Sequence, residues 1–355
     1  MNKLILFFLS ALIVVLSSCS SGGSSNLELK DDSSRAYDLA LADKLDVFKP
    51  LSKVSENPAN PATAEKVNLG HALYFDTRLS KEGNISCNSC HNLATFGVDN
   101  LPVSPGDDGT LGGRNSPTVL NAAFHASQFW DGRAKDVEEQ AGMPIMNPVE
   151  MAIPSKEFLV NRLKEVELYQ ELFAEAYPEE ENPITYQNIE YAIGAFERQL
   201  LTPSRFDDYL KGNHDALSSQ EKQGLLSFVL VGCTQCHSDA LLGATASFQR
   251  FGVYDDYWKH TKSAKIDKGL AEVTGKELDE YMFKVPSLRN VAETWPYFHD
   301  GSVESLEESI KIMAEIQLDQ KLNNRQIENI AAFLNSLTGE VPKEFQSAPE
   351  VLSMN

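Results

Sequence analysis

A Cys-x-x-Cys-His pattern that occurs twice constrains this chain more than any other feature. The members are Cys87, Cys90 and His91 in "ISCNSCHNLATFGVDN", and Cys233, Cys236 and His237 in "GCTQCHSD". A four-thiolate zinc site or redox-active or structural disulfides would use the cysteines but give the two histidines no role. Covalent attachment of haem c uses all six residues, because two sulfurs bond the vinyl groups and the adjacent imidazole ligates the iron. We therefore expect two haem c groups, with His91 and His237 as axial ligands.

A second repeat lies downstream of each motif. The stretches "SPTVLNAAFHASQFWDGR" and "VPSLRNVAETWPYFHDGS" align without a gap at an offset of 169 residues. The identical positions are Pro117, Asn121, Ala123, Phe129, Asp131 and Gly132, which match Pro286, Asn290, Ala292, Phe298, Asp300 and Gly301. The halves of the chain are therefore predicted to be duplicated haem domains.

The segments between the motifs have the spacing of amphipathic helices, as in the apolar series Ile189, Ile193 and Phe196. The predicted fold class is mainly α, with two cytochrome c-like haem domains packed together. We predict that residues 37–200 form the domain of the first haem and residues 201–345 that of the second, with the tail to 355 packing back on the first.

The N-terminus has the layout of an export signal. A basic start is followed by a short apolar run and by "LSSC", which resembles a bacterial lipoprotein signal. The expectation is a signal peptide at 1–18, lipidation of Cys19, a flexible tether at 19–36, and a protein held on the periplasmic side of a membrane. An ordinary signal with an incidental cysteine is the alternative. A net charge of -20 disfavours nucleic acid and favours basic partners.

Residues that could complete the haem sites differ between the halves. Met313 follows the second repeat on a predicted helix, as a sixth ligand or as a core methionine, and the repeat offset places Pro144 at its position in the first half. In the first half, Glu150 is a candidate proton donor and acceptor beside an open iron, or a solvated surface residue. Trp130 is a buried aromatic or a step for electrons between the haems.

The chain resembles the bacterial dihaem cytochrome c peroxidases from about Leu69 to Gly339. The resemblance is carried by "LGHALYFDTRLS", "ISCNSCH", "GGRNSPTVLNAAF", "QFWDGRAKD", "YLKGN", "GCTQCHS", "PSLRNVAETWPYFHDG" and "IKIMAEIQL". It implies reduction of hydrogen peroxide to water at the haem of His91, and electron entry at the haem of His237 with Met313 as its sixth ligand. It assigns Glu150 as the active-site glutamate, Gln140 as its companion and Trp130 as the residue between the haems.

The resemblance also implies a calcium ion, with Asn115 binding through its side chain and Thr294 and Pro296 through backbone oxygens. The implied electron donor is a small cytochrome c or a copper protein, and the implied oligomer is a homodimer.

One position departs from the family pattern. Many members have a histidine sixteen residues after the first Cys-x-x-Cys-His, where it blocks the iron, and this chain has Asp107 there. The hypothesis is that the first haem needs little or no reductive activation, with His125 as the first suspect for a blocking ligand if one exists. Two other functions remain open: a dihaem electron carrier or redox sensor, and a dihaem relative that matures a tryptophan-derived cofactor. That relative uses a tyrosine as sixth ligand, which Met313 argues against.

Overall fold

The computed structural model describes residues 32–244 and 247–354. The predicted signal peptide, Cys19 and the tether up to residue 31 lie outside the described residues. The helices are α1 (Asp32–Leu41), α2 (Ala64–Phe75), α3 (Cys87–Cys90), α4 (Val137–Met146), α5 (Lys156–Lys164), α6 (Glu167–Ala176), α7 (Tyr186–Glu197), α8 (Arg205–Leu210), α9 (Ser219–Val231), α10 (Tyr257–Thr261), α11 (Ala271–Thr274), α12 (Leu306–Leu318) and α13 (Asn324–Asn335). Strands β1 (Phe248–Arg250) and β2 (Met282–Lys284) pair antiparallel. The prediction of a mainly α fold is confirmed.

Each half is built on one close helix crossing. In the first half α2 crosses α7, and a Cβ on Gly70 would lie 1.9 Å from the carbonyl oxygen of Ala192. In the second half α9 crosses α13, and a Cβ on Gly224 would lie 1.8 Å from the carbonyl oxygen of Asn329. Only glycine permits backbones to approach so closely. The two halves therefore share the same architecture at their centres.

The backbone confirms the internal repeat that the sequence indicates. Left-handed conformations occur at equivalent positions, with φ of 61° and 59° at Asn121 and Asn290 and of 67° and 71° at Phe129 and Phe298. Non-glycine residues rarely adopt this conformation. Its recurrence at the same offset shows that the repeated segments fold alike.

The apolar core has two main clusters. The first surrounds α2 and α7, and it includes Val341, with Phe345 and Leu352 packed against it. The second surrounds α9 and α13, and it includes Leu41 and Phe48 from near the N-terminus of the described chain. Each end of the described chain therefore packs on the other half, while the exact domain boundaries remain predictions. Between residues 32 and 354, leaving out 245 and 246, there is no helix of the length and hydropathy that a membrane span requires.

Candidate functional site

The first Cys-x-x-Cys pair lies on the short helix α3. The backbone N–H of Ser86 donates to the Ser89 hydroxyl over 2.9 Å and so caps the first turn. His91 directly follows this helix, and its Nδ1 donates to the carbonyl oxygen of Pro117 over 3.0 Å. A proton on Nδ1 leaves the lone pair of Nε2 free for a metal, and burial lowers the pKa of His91 and keeps the ring neutral. His91 is therefore in the form that an iron ligand needs.

In the second copy the histidine ring has the same hydrogen-bonding state, but the cysteines lie at a 3₁₀ turn instead of a short α-helix. Helix α9 ends at Gly232 with a φ of 102°, and Cys233 begins a 3₁₀ turn. The Nδ1 of His237 donates to the carbonyl oxygen of Leu242 over 2.8 Å, and burial lowers the pKa of this ring also. The hydrogen bond orients the ring and leaves Nε2 for a metal.

The cysteines are suited to thioether bonds rather than to a shared zinc site. Burial raises the pKa of Cys87 to about 12 and of Cys90 to about 11, and it raises the pKa of Cys233 to about 12. Zinc needs thiolates and would require the two pairs to meet. Within the described parts of the chain, no three His, Cys, Asp or Glu side chains converge on a possible metal position. The residues present fit two separate haem c groups.

A cavity of about 270 Å³ adjoins the second motif. Its wall includes Cys233, Cys236 and His237, and Met313 on α12 lines the same space. Met313 and His237 therefore line one cavity. Its role as sixth ligand remains a prediction.

Helix α4 shows what replaces this methionine in the first half. Helices α4 and α12 begin at Val137 and Leu306, which correspond at the repeat offset of 169 residues. The gapless alignment therefore extends into both helices, and Pro144 in α4 corresponds to Met313. Proline has no atom that ligates iron, so the two halves differ at this position.

Glu150 lies in the turn after α4. Its Oε1 accepts a hydrogen bond from the side-chain amide of Asn147 over 2.8 Å. Burial raises the pKa of Glu150, while Arg133 and the bond from Asn147 act to lower it. The Glu150 carboxylate also helps to raise the pKa of Cys90, after the larger effect of burial, which places its charge near the first haem attachment. Glu150 is thus a partly buried carboxyl with a raised pKa near the first Cys-x-x-Cys-His motif, and its catalytic role remains a prediction.

Asp107, at the position where many family members have a blocking histidine, lies next to the Glu150 turn. Asp107 is 5% exposed, and its Oδ1 accepts the backbone N–H of Glu82 over 3.0 Å. Its own backbone N–H donates to the carbonyl oxygen of Glu150 over 2.7 Å. The preceding Gly106 is so close that a Cβ would lie 1.9 Å from the carbonyl oxygen of Val149. The glycine-rich loop therefore packs against the Glu150 turn.

Trp130 lies between the two halves. Its indole N–H donates to the carbonyl oxygen of Asn115 over 2.9 Å, and its ring centre is 6.5 Å from that of His299. Trp130 lines the cavity of the second motif, and so does Pro117, whose carbonyl accepts the His91 bond. A short protein path thus joins His91 to this cavity.

The residues that the resemblance assigns to calcium lie on one wall. Asn115, Thr294 and Pro296 all line the cavity of the second motif. The side-chain nitrogen of Asn115 donates to the carbonyl oxygen of Leu101 over 2.9 Å, which leaves its amide oxygen for another partner. Oxygen ligands of this type suit calcium. The ion itself remains a prediction.

Several residues around the site were not singled out from the sequence. Arg133 stacks 3.5 Å over the ring of Phe129 and binds Asp131 through two 2.9 Å contacts. Arg114 joins the halves through a bidentate pair with Asp267 at 2.7 and 2.9 Å. The "DG" pair that recurs in both halves could have drawn attention to Asp131. The contacts of Arg114 with Asp131 and Asp267 could not be read from the sequence, because these residues are distant along the chain.

His125 lies beside the second motif. It lines the cavity of the second motif, where its Nδ1 lies 3.2 Å from Nζ of Lys284. His71 stacks on Phe196, and His260 binds Asp255 over 2.9 Å. His71 and His260 therefore have partners within the protein.

Together the helical fold and the two haem-binding motifs define a dihaem c-type protein. The family model described as "Di-haem cytochrome c peroxidase" matches residues 64–215. The cytochrome c551 peroxidase of Pseudomonas aeruginosa is 43% identical over 87% of this chain and 90% of its own length. That of Nitrosomonas europaea is 44% identical over 79% of this chain and 82% of its own length. Among solved structures, a MauG-like protein associated with microbial copper homeostasis has a TM-score of 0.72 at 30% identity, covering 86% of this chain and 97% of the other.

The chain belongs to the dihaem cytochrome c peroxidase family. It is a cytochrome-c peroxidase, an oxidoreductase that acts on hydrogen peroxide and carries haem c. The resemblance drawn from the sequence motifs is therefore confirmed.

Proposed function

We propose that hydrogen peroxide is reduced at the haem of His91 and that electrons enter at the haem of His237 and Met313. The observation that carries this division is the pairing of Pro144 with Met313 in equivalent helices. The first half therefore has no methionine at this position, while the partly buried Glu150 lies near Cys90. Haem c, when bound, would supply the iron chemistry that cleaves the oxygen–oxygen bond.

Glu150 acts in this proposal as the proton relay. Its carboxylate takes a proton from peroxide and returns it to the departing oxygen, so that two electrons and two protons convert hydrogen peroxide into two molecules of water. Burial, which raises the pKa of Glu150, makes the carboxyl a better base than an exposed glutamate. Asn147 orients the carboxyl through its 2.8 Å hydrogen bond. Gln140, on α4, helps to hold the peroxide oxygens.

Trp130 carries electrons between the halves. Its ring lines the cavity of the second motif, and its indole N–H bonds the Asn115 carbonyl, two residues before the Pro117 that binds His91. A small cytochrome c or copper protein supplies the electrons one at a time. The net charge of -20 favours a basic donor.

The first haem is proposed to be ready for peroxide without prior reduction. Asp107 replaces the blocking histidine, and its backbone and side chain are engaged with Glu150 and Glu82. His125 lines the cavity of the second motif. These contacts support a first haem that peroxide can reach without prior reduction.

The proposal also includes export and anchoring through Cys19 on the periplasmic side of a membrane. It further includes a homodimer and a calcium ion at Asn115, Thr294 and Pro296. They rest on the sequence layout and on the family resemblance.

Spectra of the oxidised and half-reduced protein, followed by a peroxide titration, test the proposal. The oxidised protein should show one high-spin and one methionine-ligated haem, and it should react with one equivalent of peroxide without a reductant. Two low-spin haems with no rapid reaction would identify an electron carrier instead. A tyrosine-ligated second haem would point to cofactor maturation.

A further inference from the structure

The cavity of the second motif has an unusual balance of charge. The residues of the described chain that line it include no Asp or Glu, and Lys284 is the one Lys or Arg among them. Lys284 ends strand β2 and is 7% exposed. A lysine is rarely so deeply buried without a partner of opposite charge.

The partners of Lys284 are neutral. Its Nζ donates to the carbonyl oxygen of Ser127 over 2.8 Å and lies 3.2 Å from Nδ1 of His125. An ammonium group can only donate, so Nδ1 accepts and the proton of the His125 ring is on Nε2. That Nε2 is buried and has no hydrogen-bond partner among the described residues. The pair thus offers a positive charge and a free N–H donor, but no anion.

The carboxylate whose charge acts on Lys284 does not compensate for this burial. Asp131 raises the pKa of Lys284, but its oxygens bind Arg114 and Arg133. Burial has the larger effect and lowers the pKa of Lys284 to about 8. A buried cation with a depressed pKa is stabilised when an anion binds next to it.

The internal repeat gives independent support. At the offset of 169 residues, Asn115, Thr294 and Pro296 correspond to Lys284, His125 and Ser127. The residues that the resemblance assigns to calcium, one from the first half and two from the second, therefore match the residues around the lysine ammonium, one from the second half and two from the first.

The backbone contacts at the two places match. Asn115 donates its N–H to the carbonyl oxygen of His299 over 2.7 Å, and Lys284 donates its N–H to that of Trp130 over 2.9 Å. Trp130 and His299 are themselves equivalent in the repeat. The lysine side chain therefore corresponds in the repeat to the side chain of Asn115, a predicted ligand of a divalent cation.

We propose that Lys284 and His125 form the binding site for a propionate carboxylate of the second haem c. A haem c attached at Cys233 and Cys236 brings two carboxylates into a space whose lining has one cationic side chain. The ammonium of Lys284 and the Nε2–H of His125 each donate to the carboxylate. A positive charge at this edge favours the ferrous over the ferric haem and so raises its reduction potential. The inference depends on haem c at the second motif and not on which haem cleaves peroxide.

Redox titration of the holoprotein, with separate absorbance bands for the two haems, tests this site. Lys284→Met should lower the ferrous-to-ferric ratio of the second haem about tenfold at a fixed potential. This corresponds to a fall of about 59 mV in the reduction potential of a one-electron couple. Lys284→Arg should restore most of the difference. Lys268→Met is the matched control, because it removes a lysine charge paired with Glu280 on an exposed surface of the same half. It should leave the potential unchanged.

Infrared difference spectra identify the bound group. With haem labelled by ¹³C at the propionate carboxyls, Lys284→Met and His125→Leu should both shift a labelled carboxylate band. A shift that depends instead on added phosphate or acetate would mean that a free anion occupies the site, and it would overturn the proposal. Unchanged potential and unchanged bands in Lys284→Met loaded with both haems would overturn it too. If Lys284→Met does not retain haem, His125→Leu decides by the same two measurements.

Discussion

Asp107 donates its backbone N–H to the carbonyl oxygen of Glu150 over 2.7 Å. The residue that replaces a blocking ligand is therefore bonded to the turn that holds the proposed proton relay. Its side chain extends the connection to the loop before Cys87 through the 3.0 Å bond from the Glu82 N–H. One buried aspartate thus joins three loops of the first half.

Replacing Asp107 tests whether this connection positions Glu150. In Asp107→Ala the Glu82 N–H loses its acceptor, which should lower the free energy of unfolding by about 1–3 kcal/mol. The turn loosens, and peroxide turnover should fall with both haems retained. Asp107→Asn keeps an acceptor oxygen and should behave nearly as the parent. Denaturant unfolding and steady-state assays measure both effects, and equal loss in Asp107→Asn would show that the charge, not the hydrogen bond, matters.

Glu150→Gln removes the proposed proton relay without changing its size. We expect kcat to fall by about 10²–10⁴-fold, the usual contribution of general acid and base catalysis. Because the pKa of Glu150 is raised, activity of the parent should fall on the acid side above the ordinary glutamate value of 4.5, as the carboxylate takes up a proton. That limb of the pH profile should disappear in the variant. The exposed Glu165→Gln is the control, and a parent-like rate in Glu150→Gln would exclude the relay.

Trp130→Phe should slow the passage of electrons between the halves. The variant loses the indole N–H that bonds the Asn115 carbonyl over 2.9 Å, and phenylalanine is harder to oxidise. Turnover with an electron donor should fall, while binding of peroxide to the oxidised protein should not change. Trp258→Phe provides the control, because Trp258 packs on Tyr257 and Tyr281 and is not among the residues that line the cavity with Trp130 and Asn115. Rapid-mixing absorbance of the half-reduced protein measures the step, and equal rates in both variants would remove Trp130 from the path.

The sequence predicted the haem attachments, the helical class and the repeat, because each is written in local patterns of residue type. Asn121 and Asn290 have the same left-handed φ, as their alignment suggested. The surroundings of Glu150 were not predictable in the same way. Its carbonyl oxygen accepts the Asp107 N–H and its pKa is lowered by the charge of Arg133, and both residues reach it only through the fold.

Lys284 shows the same limit more clearly. Within its own strand it looks like an ordinary polar residue, and its burial follows from packing against a segment 157 residues away in the chain. The repeat could have indicated that Lys284 has a special role, because it aligns this lysine with Asn115, a predicted calcium ligand.

The acidic surface predicts how the enzyme selects its electron donor. Raising the ionic strength from 0.01 to 0.15 M shortens the screening length from about 30 to about 8 Å. The second-order rate with a basic cytochrome c should therefore fall steeply over this range, because attraction to the charge of -20 is screened. An acidic cytochrome should react slowly and speed up with salt. Stopped-flow measurements give both slopes, and a salt-independent rate with the basic donor would mean that docking is not electrostatic.

Thr202 binds the two halves at equivalent positions of the repeat. Its hydroxyl oxygen accepts hydrogen bonds from the side-chain amides of Asn121 and Asn290 over 2.7 and 2.8 Å, and all three residues are fully buried. Thr202→Val keeps the shape but leaves two buried amide donors unsatisfied, each at a cost of about 1–3 kcal/mol. Thermal unfolding of the holoprotein should show a large loss in Thr202→Val and little in Thr202→Ser. In Thr261→Val, the matched control, the lost hydroxyl donates to the Tyr257 carbonyl over 3.1 Å and lies 2.7 Å from the hydroxyl of nearby Ser263, so only local contacts are lost and the loss should be smaller. Equal losses in the two valine variants would show that the halves do not depend on this shared acceptor.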